Sequence, residues 1–401
     1  MEDFYKGIRV IDFTWMGVGA LITKYLGERG AEIIKIESEN RPDPIRLVSP
    51  FKDNIPHLER SCLFAKYNTC KYSFRLNLSH PKGVEIVKKL VAKADIVAES
   101  FTPGTMERLG LSYEELKKVK PDIIMVSTSM QGQTGPHATS PGTGMTLTSL
   151  AGFSYITGWP DRTPAGVYGP YTDYVAPLFG AAALHAALDY RARTGKGQYL
   201  DLSQFEVSIQ FLAPLLLDYV VNRRIARRMG NESPCAAPHG VYQCSGEDRW
   251  CAIAVFTDKQ WQSFCQALGN PAWAEDPRFA TLTSRIKNRY ELDKLVTAWT
   301  IKYSPEEVME LLQKAGVPAG IVKTGEDLWN DPQLRYYDSF CELEHPEAPC
   351  VVLRRSVDLS KVPYKISRPP TLGEHLEYVC KQVLEMPDEE FVQLLAEGVF
   401  T

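Results

Sequence analysis

The chain has 401 residues, of which 44% are hydrophobic and 23% charged, and its formal net charge at pH 7 is −4. This length exceeds a single simple core and favours a globular protein of two domains. The slightly acidic balance excludes a general nucleic-acid binder, which presents a basic face. Nine cysteines without a C-x-x-C pair favour reduced thiols over a disulfide framework or a zinc site.

Both the first residues and the apolar runs indicate a protein of the cytoplasm. The first residues lack the basic-then-apolar pattern of a secretory signal peptide. No apolar run in the sequence reaches the ~18 residues that suggest a membrane-spanning helix. We therefore expect a cytoplasmic protein that has no nucleic-acid partner, no membrane partner and no metal.

The first third of the chain alternates apolar runs with amphipathic stretches. The predicted elements are strands over 8–13, 31–37, 95–98 and 123–129, a helix that ends near 29, and a helix over 81–94. Ser112 and Glu115 form a capping-box pattern at the start of a further helix. Strands that alternate with helices indicate right-handed βαβ units, so the predicted fold class is α/β with a mostly parallel sheet.

The middle of the chain changes in character. A loop rich in Gly, Pro and Thr covers 131–144, and loops of this length are often functional or mobile. An Ala-rich helix is predicted over 176–193, and four arginines follow in a linker-like segment that begins near 223. The elements predicted beyond it are a strand over 250–256, a helix over 259–268 and a well-capped helix from Ser304. This region is predicted to form a smaller second domain.

The turn after the first strand imitates a dinucleotide-binding fingerprint. It reads Gly17-x-Gly19, and Glu37 falls about 20 residues after the first glycine, where an acid would bind a ribose. Ile22 occupies the place of the third glycine, which weakens phosphate approach and helix–strand packing. An NAD-dependent oxidoreductase with a Rossmann domain is therefore an alternative that we rank second.

Six separated motifs, in order along the chain, resemble those of family III CoA-transferases. They are G-I-R-V-I-D-F-T at 7–14 with G-x-x-G-A-E-I-I-K-I-E at 27–37, E-S-F-T-P-G-T-M-E-R-L-G at 99–110, G-Q-T-G-P at 132–136, R-T-G-K-G-Q at 193–198, G-V-P-A-G at 316–320 and P-T-L-G-E-H at 370–375. The resemblance implies an enzyme that moves coenzyme A between carboxylates, with CoA as a substrate and no permanently bound cofactor. It further implies a Rossmann-like large domain over 1–222, a small α+β middle domain over 223–330, and a C-terminal return to the large domain over 331–401.

Asp173 lies between the G-Q-T-G-P loop and the Ala-rich helix, where this family carries its nucleophile. The resemblance implies that its carboxylate attacks an acyl-CoA thioester, giving an aspartyl anhydride and then an aspartyl-CoA thioester. The local sequence also fits a helix N-cap for a segment that begins near Ala176. Racemases of the family need a histidine after the loop, and we place Thr143 at that position, which favours CoA transfer.

The same resemblance assigns further residues to binding. Gln131 and Gly132 would help to form an oxyanion site, and His239 and Tyr242 would face the substrate. The residues expected to contact CoA are Trp15, Met16, Gly17, Lys71, Phe101 and Arg108. Ser38 and Ser79 replace basic residues that are frequent in the family, so we expect Arg41 or Arg46 to bind the phosphates instead.

The resemblance also bears on partners. The opening segment D-F-T-W at 12–15 looks most similar to the benzylsuccinate CoA-transferase type, whose donor is succinyl-CoA. The expected partners are therefore an acyl-CoA and a small carboxylic acid. The family implies an interlocked homodimer with its active site between the chains, or a heteromer with a related subunit. A non-catalytic partner subunit of such an enzyme is the remaining alternative.

Overall fold

A computed structural model describes residues 4–354, 357–362 and 365–401. The chain divides into two compact units. The large unit comprises Met1–Phe153, Gly166–Ile225 and Tyr336–Thr401, and the small unit comprises Ser154–Ala165 and Ala226–Arg335.

The described residues form eleven strands in three sheets. The six-stranded sheet of the large unit contains β1 Arg9–Phe13, β2 Glu32–Glu37, β3 Lys71–Arg75, β4 Ile96–Glu99, β5 Ile124–Ser129 and β6 Tyr199–Ser203. The small unit contains β7 His239–Gln243, β8 Trp250–Ala254 and β9 Ala319–Ile321, and a hairpin of the large unit pairs β10 Phe340–Leu343 with β11 Cys350–Leu353.

The helices of the described residues connect and cover these strands. They are α1 Val18–Gly27, α2 Cys62–Tyr67, α3 Pro81–Ala92, α4 Thr105–Arg108, α5 Tyr113–Val119, α6 Gly144–Leu150, α7 Phe153–Ile156, α8 Tyr171–Thr194, α9 Gln204–Gln210, α10 Ala213–Asn222, α11 Asp258–Ala267, α12 Leu282–Lys287, α13 Arg289–Thr300, α14 Pro305–Lys314, α15 Gly325–Trp329, α16 Pro332–Tyr336, α17 Leu376–Tyr378 and α18 Asp388–Ala396. Short 3₁₀ turns lie at Pro44–Leu47, Lys52–Asn54, Ala272–Glu275 and Pro277–Phe279, and a π-helical turn at Val379–Val383.

Among the residues that the structure describes, no single helix is both long enough and apolar enough to cross a bilayer. The bent pair of α9 and α10 passes that test together, by length and composition only.

The large sheet is parallel throughout, with strand order β3-β2-β1-β4-β5-β6. This is the order of a doubly wound Rossmann-like sheet, so the predicted α/β class is confirmed. The carboxyl ends of parallel strands lie at one edge of such a sheet, and ligands bind there. The turns after β1, β4 and β5 therefore share this edge.

Adjacent residues of the central strand face two different cores. Ile11 and Phe13 belong to the core that includes residues of α3, α5 and α18, whereas Val10 belongs to the core that includes residues of α1 and α8. All three side chains are fully buried. The sheet is thus covered on both faces, which explains why three of the five residues of β1 are apolar and fully buried.

Helices α1 and α8 pack closely because α8 carries a glycine at their contact. A Cβ added to Gly180 would lie 2.3 Å from Ile22 Cδ1 and 3.1 Å from Leu202 Cδ2. Ile22 stands where a dinucleotide fingerprint has its third glycine, and here the small residue comes from the opposite helix. This contact sets the position of α8, and with it Asp173, relative to α1.

The small unit is an antiparallel three-stranded sheet with helices. Its strand order is β7-β8-β9, and residues of α11, α13 and α14 share its apolar core. The helix predicted from Ser304 is confirmed as α14. Its capping box is complete, because Ser304 Oγ accepts from Glu307 N at 3.2 Å and Glu307 Oε2 accepts from Ser304 N at 2.8 Å.

Candidate active site

Asp173 lies in the first turn of α8. The helix begins at Tyr171, five residues before the predicted start at 176, and its N-cap residue is Pro170. The interpretation of Asp173 as an N-cap is therefore wrong. The N–H of Asp173 donates to the carbonyl of Pro170 at 2.9 Å. The side-chain carboxylate is left for other contacts.

Two glycines flank this carboxylate. A Cβ added to Gly17, the N-cap of α1, would lie 2.9 Å from Asp173 Oδ2. A Cβ added to Gly144, the first residue of α6, would lie 2.5 Å from Asp173 Oδ1. Bare backbone from two elements therefore approaches the carboxylate as closely as it can, and any larger residue at either position would displace it.

The electrostatic surroundings of Asp173 are unusual for a carboxylate. Among the described residues no ion pair involves it, and burial raises its pKa to about 6. A carboxylate removed from water without a cation is destabilised in its charged form, which makes it more nucleophilic than a solvated one. Perturbed carboxyl groups of this kind are typical of catalytic positions.

The turn between β1 and α1 is held from below by a buried ion pair. Lys35 Nζ donates to the Thr14 carbonyl at 2.6 Å and to Asp43 Oδ2 at 2.9 Å. Asp43 Oδ1 in turn accepts from the N–H of Met16 at 3.0 Å, and Met16 has a left-handed φ of 60°. Because Gly17 follows directly, these contacts fix the backbone that touches Asp173.

Two aromatic rings form a wall beside this turn. The Trp15 ring meets the Phe101 ring edge to face, with centroids 5.3 Å apart. Ser100 Oγ accepts from the Trp15 N–H at 2.8 Å and donates to the Trp15 carbonyl at 3.1 Å. One side chain at the end of β4 therefore binds both backbone groups of Trp15, which ties β4 to β1 at the ligand-binding edge.

A cavity of about 510 Å³ lies against this wall. Arg41 and Arg108 both line it, and neither forms an ion pair with a described residue. Ser38 and Ser79 line it as well. Two guanidinium groups and an aromatic wall in one cavity suit a ligand that combines phosphates with a planar base.

Arg46, the other candidate for phosphate binding, is fully buried. It donates to both carboxylate oxygens of Glu37, at 2.9 and 3.0 Å, and to Glu59 at 2.6 Å. The expectation that Arg46 substitutes for the missing basic residues is therefore wrong, whereas the phosphate contact of Arg41, which lines the cavity, stays a prediction. The same pair argues against a dinucleotide, because the Glu37 carboxylate is buried and its charge is already paired with Arg46.

Lys71 lies away from this cavity. Its ammonium has no exposed surface and donates to Asp12 Oδ2 and to the Ala20 carbonyl, each at 3.0 Å. The predicted contact between Lys71 and a CoA phosphate is corrected on this ground. The residue instead neutralises a buried carboxylate of β1.

Gln131 and Gly132 lie in the loop after β5, at the ligand-binding edge. Gly132 is buried with φ +88°, and a Cβ there would point towards Asp201 at 3.6 Å. The following N–H, that of Gln133, donates to the same carboxylate at 3.0 Å. Asp201 thus anchors the loop, and the predicted oxyanion role of Gln131 and Gly132 stays a prediction.

His239 and Tyr242 both belong to β7 of the small unit. The His239 ring nitrogen Nδ1 lies 2.6 Å from the Asn231 carbonyl, and the residue lines a cavity of about 530 Å³ on the sheet. Tyr242 is buried, and its hydroxyl donates to Asp293 at 2.7 Å. The predicted substrate contact of Tyr242 is corrected, because its hydroxyl is committed to the core of the small unit. That of His239 stays a prediction.

Sequence reasoning missed several residues around Asp173. Gly144 lies within the Gly/Pro/Thr-rich stretch, so a search for bare backbone near the nucleophile could have found it. Ser100 lies inside the quoted E-S-F motif without a role. Lys66, Tyr67 and Tyr174 gave no signal, because nothing in their spacing shows that α2 and α8 meet.

The family model described as CoA-transferase family III matches residues 5–376. The chain belongs to CoA-transferase family III. It is therefore a CoA-transferase, and the oxidoreductase alternative is set aside.

Similar proteins cover nearly the whole chain. One is succinyl-CoA–D-citramalate CoA-transferase of Chloroflexus aurantiacus, 31% identical over 98% of this chain and 97% of the relative. Another is the beta subunit of succinyl-CoA–L-malate CoA-transferase of the same organism, 30% identical over 98% of this chain and 97% of the relative. A CAIB/BAIF family protein from Brucella suis has a crystal structure that matches with a TM-score of 0.88 and 31% identity, covering 96% of this chain and 100% of that one.

Proposed function

We propose that this chain transfers CoA from succinyl-CoA to a dicarboxylic acid through covalent intermediates on Asp173. The observation that carries the proposal is the Asp173 carboxylate itself. It lies against glycine backbone, it forms no ion pair with the residues that the structure describes, and its pKa is raised to about 6. Trp15, two residues before Gly17 in the chain, lines a cavity that also contains the guanidinium groups of Arg41 and Arg108. A nucleophile near a cationic cavity that suits a phosphate-bearing ligand is what this chemistry needs.

The reaction follows from the chemistry of carboxylates and thioesters. An Asp173 oxygen attacks the thioester carbonyl, the C–S bond breaks, and CoA leaves as a thiolate from a mixed anhydride. The thiolate then attacks the Asp173 carbonyl carbon, the C–O bond breaks, and the donor acid is released from an aspartyl-CoA thioester. The acceptor carboxylate runs the same two steps in reverse and leaves as its CoA thioester, which regenerates Asp173. Water must stay out, because it would hydrolyse either intermediate.

The residue before Gly144 supports transfer over racemisation. Thr143 lies next to the glycine that touches Asp173, and its N–H donates to Thr146 Oγ1 at 2.7 Å. Proton exchange at an α-carbon needs a second titratable group at this place. Threonine has no such group, so the site retains a nucleophile without the partner base.

The proposed substrates follow the relatives. The names of both relatives give succinyl-CoA as one substrate and a four- or five-carbon dicarboxylate, malate or citramalate, as the other. We propose the same class for this chain. Benzylsuccinate, which is a substituted succinate, remains a candidate acceptor within the class.

We further propose that the protein acts in the cytoplasm as an interlocked homodimer with its active site between the chains. Helix α10 supports assembly, because none of its residues is buried although it reads A-P-L-L-L-D-Y-V-V-N. Leu217 and Val221 are 61% and 75% exposed. Apolar patches of this kind mark contact surfaces. A heteromer with a related subunit is the alternative, and the relative named as a beta subunit favours testing it.

Covalent labelling tests the mechanism. The protein is incubated with succinyl-CoA, quenched with hydroxylamine and digested, and the peptide that carries Asp173 is examined by mass spectrometry. We expect a hydroxamate on Asp173 in the wild type and none in Asp173→Asn. Asp189→Asn, at the exposed end of the same helix, is the matched control and should label normally.

The outcomes also separate the alternatives. Full transfer activity in Asp173→Asn would refute the nucleophile. A folded wild-type protein that carries no label alone, but supports labelling of a related chain, would be a non-catalytic partner subunit.

A further inference from the structure

Next to the nucleophile, a lysine lies over two tyrosine rings. Lys66 Nζ is 4.5 Å from the ring centroid of Tyr174 and 5.5 Å from that of Tyr67. Lys66 and Tyr67 end helix α2, whereas Tyr174 follows Asp173 in α8. The cluster of Lys66, Tyr67 and Tyr174 therefore joins the two helices beside the reacting carboxylate.

The two tyrosine hydroxyls of this cluster form one hydrogen bond, in which Tyr67 is the donor and Tyr174 the acceptor. Tyr67 is buried, and its O–H donates to the Tyr174 oxygen at 3.1 Å. Burial and the Tyr174 contact raise the pKa of Tyr67, and the charge of Asp173 adds to the rise. Tyr67 thus stays neutral and keeps its proton on this bond. The Tyr174 hydroxyl, which accepts there, has its own proton left to donate.

The neighbours of the Lys66 ammonium are aromatic rings. Within the ranges that the structure describes, no carboxylate lies within ion-pair distance of its ammonium. Its side chain is half-buried against the tyrosines, whereas most lysines of the surface point into water. A cation over aromatic faces binds an anionic oxygen more strongly than a fully solvated one, because part of its hydration is already lost.

We propose that Lys66 and Tyr174 bind the remote carboxylate of a dicarboxylic substrate while Asp173 reacts with the near one. This inference rests on the proposed function and names its substrate class. Tyr174 directly follows Asp173 in α8, its hydroxyl has a proton to donate, and its ring carries the Lys66 ammonium on its face. Succinyl, malyl and glutaryl groups carry a second carboxylate that fits this pair. A monocarboxylic acyl group would place an alkyl end against Lys66 and leave the cation without an anion.

The proposed site predicts a preference for dicarboxylic over monocarboxylic acceptors that depends on Lys66. Hydrogen bonds to charged groups contribute enough for a change of about tenfold or more in a specificity constant. Specificity is the difference between two substrates, so the quantity to follow is a ratio. Glutarate and pentanoate suit this comparison, since they share a five-carbon chain and differ only in the second carboxylate.

The test measures kcat/KM for both acceptors with succinyl-CoA as donor. We expect the ratio of glutarate to pentanoate to fall about tenfold or more in Lys66→Met, to fall less in Tyr174→Phe, and to be kept largely in Lys66→Arg. Lys117→Met is the matched control, because Lys117 also lies over a tyrosine ring, 5.8 Å from the centroid of Tyr113 in α5. Thermal denaturation confirms that each variant is folded.

Binding of free glutarate, followed by calorimetry, separates this inference from the proposed function. If wild type transfers CoA but Lys66→Met keeps both the ratio and the glutarate affinity, the remote-carboxylate site is refuted and the proposed function stands. If wild type labels no Asp173, the proposed function fails. Glutarate affinity that falls in Lys66→Met would then still support the site, and affinity independent of Lys66 would refute it.

Discussion

At the scale of single residues, two properties of the Asp173 carboxylate act against the stability of the fold. Its charge lies where burial raises the pKa to about 6, and no cation among the described residues offsets it. Its position also requires glycine at 17 and 144, because any Cβ there would overlap it. Sites that need a reactive group commonly hold it at a cost in folding stability. Asp173 is therefore expected to destabilise the fold whenever it is ionised.

Asp173→Asn should stabilise the protein relative to wild type. This gain should be larger at neutral pH than at acid pH. The folded pKa of about 6 exceeds the ordinary value of 3.8, so the folded state binds the proton more tightly. Stability from this group is complete below pH 3.8 and is lost as the pH rises through 6. Asparagine cannot ionise, so the gain in unfolding free energy over wild type should grow by about 1 to 2 kcal/mol between pH 5 and pH 7.5. Urea denaturation at both pH values measures it.

The control for this effect is Asp189→Asn, which removes an exposed carboxylate of the same helix. Its gain or loss should differ little between the two pH values. An Asp173→Asn variant that is equally destabilised at both would contradict a buried, ionised Asp173.

At the scale of elements, the apolar pattern predicted strands that lie inside the sheet and missed two others. β3 begins at Lys71 and ends at Arg75, and only tertiary structure supplies Asp12 to neutralise the first charge. β6 is an edge strand in which the exposed Tyr199 and Asp201 alternate with half-buried leucines, so it contains no continuous apolar run. Strand β1 was readable because Val10, Ile11 and Phe13 are apolar and buried on both faces of the sheet, although its buried Asp12 also depends on the distant Lys71.

The same distinction explains the site. Trp15 and Phe101 could be placed near each other from the sequence, because both follow strands whose carboxyl ends share one edge. The ion pair of Lys71 with Asp12 and the hydrogen bond of Tyr242 with Asp293 could not be predicted from the sequence. In each pair the two residues are brought together only by the fold. Helix α8 begins earlier than its Ala-rich run because Pro170 starts it, which changed Asp173 from a cap to a first-turn residue.

The contact between α1 and α8 gives a prediction at this scale. Gly180→Ala would place a methyl group 2.3 Å from Ile22 Cδ1 in a fully buried contact, so the helices must separate. We expect a loss of about 1 to 3 kcal/mol in unfolding free energy, and a loss of activity, because Asp173 moves with α8. Chemical denaturation and transfer assays measure both.

A second substitution checks the cause. Ile22→Val removes the clashing methyl group and should restore part of the stability and activity of Gly180→Ala, although alone it destabilises by about 1 kcal/mol. The matched control is Ala182→Ser, which also adds one heavy atom but at an exposed position of α8. No recovery in the double variant would show that the two residues are not coupled.

At the scale of the whole molecule, two helices of the large unit expose apolar side chains. The exposed side chains on α8 and α10 include Leu178, Phe179, Leu216, Leu217, Val220 and Val221. They lie on the helix that carries Asp173 and on one close to it in sequence. Assembly through this surface would therefore act on the active site and not only on solubility.

Charged residues on this surface should dissociate the proposed dimer. Leu217→Asp with Val221→Asp places two carboxylates where an apolar contact is proposed, and we expect the dissociation constant of the dimer to rise at least about a hundredfold. Sedimentation at several concentrations measures this. Val392→Asp, which alters a side chain of α18 that is 62% exposed, is the matched control and should leave the dimer intact. Because the proposed active site lies between the chains, activity per chain should fall with the dimer fraction. A variant that is monomeric yet fully active would refute a shared site, and a wild type that is monomeric alone but associates with a related chain would favour the heteromer.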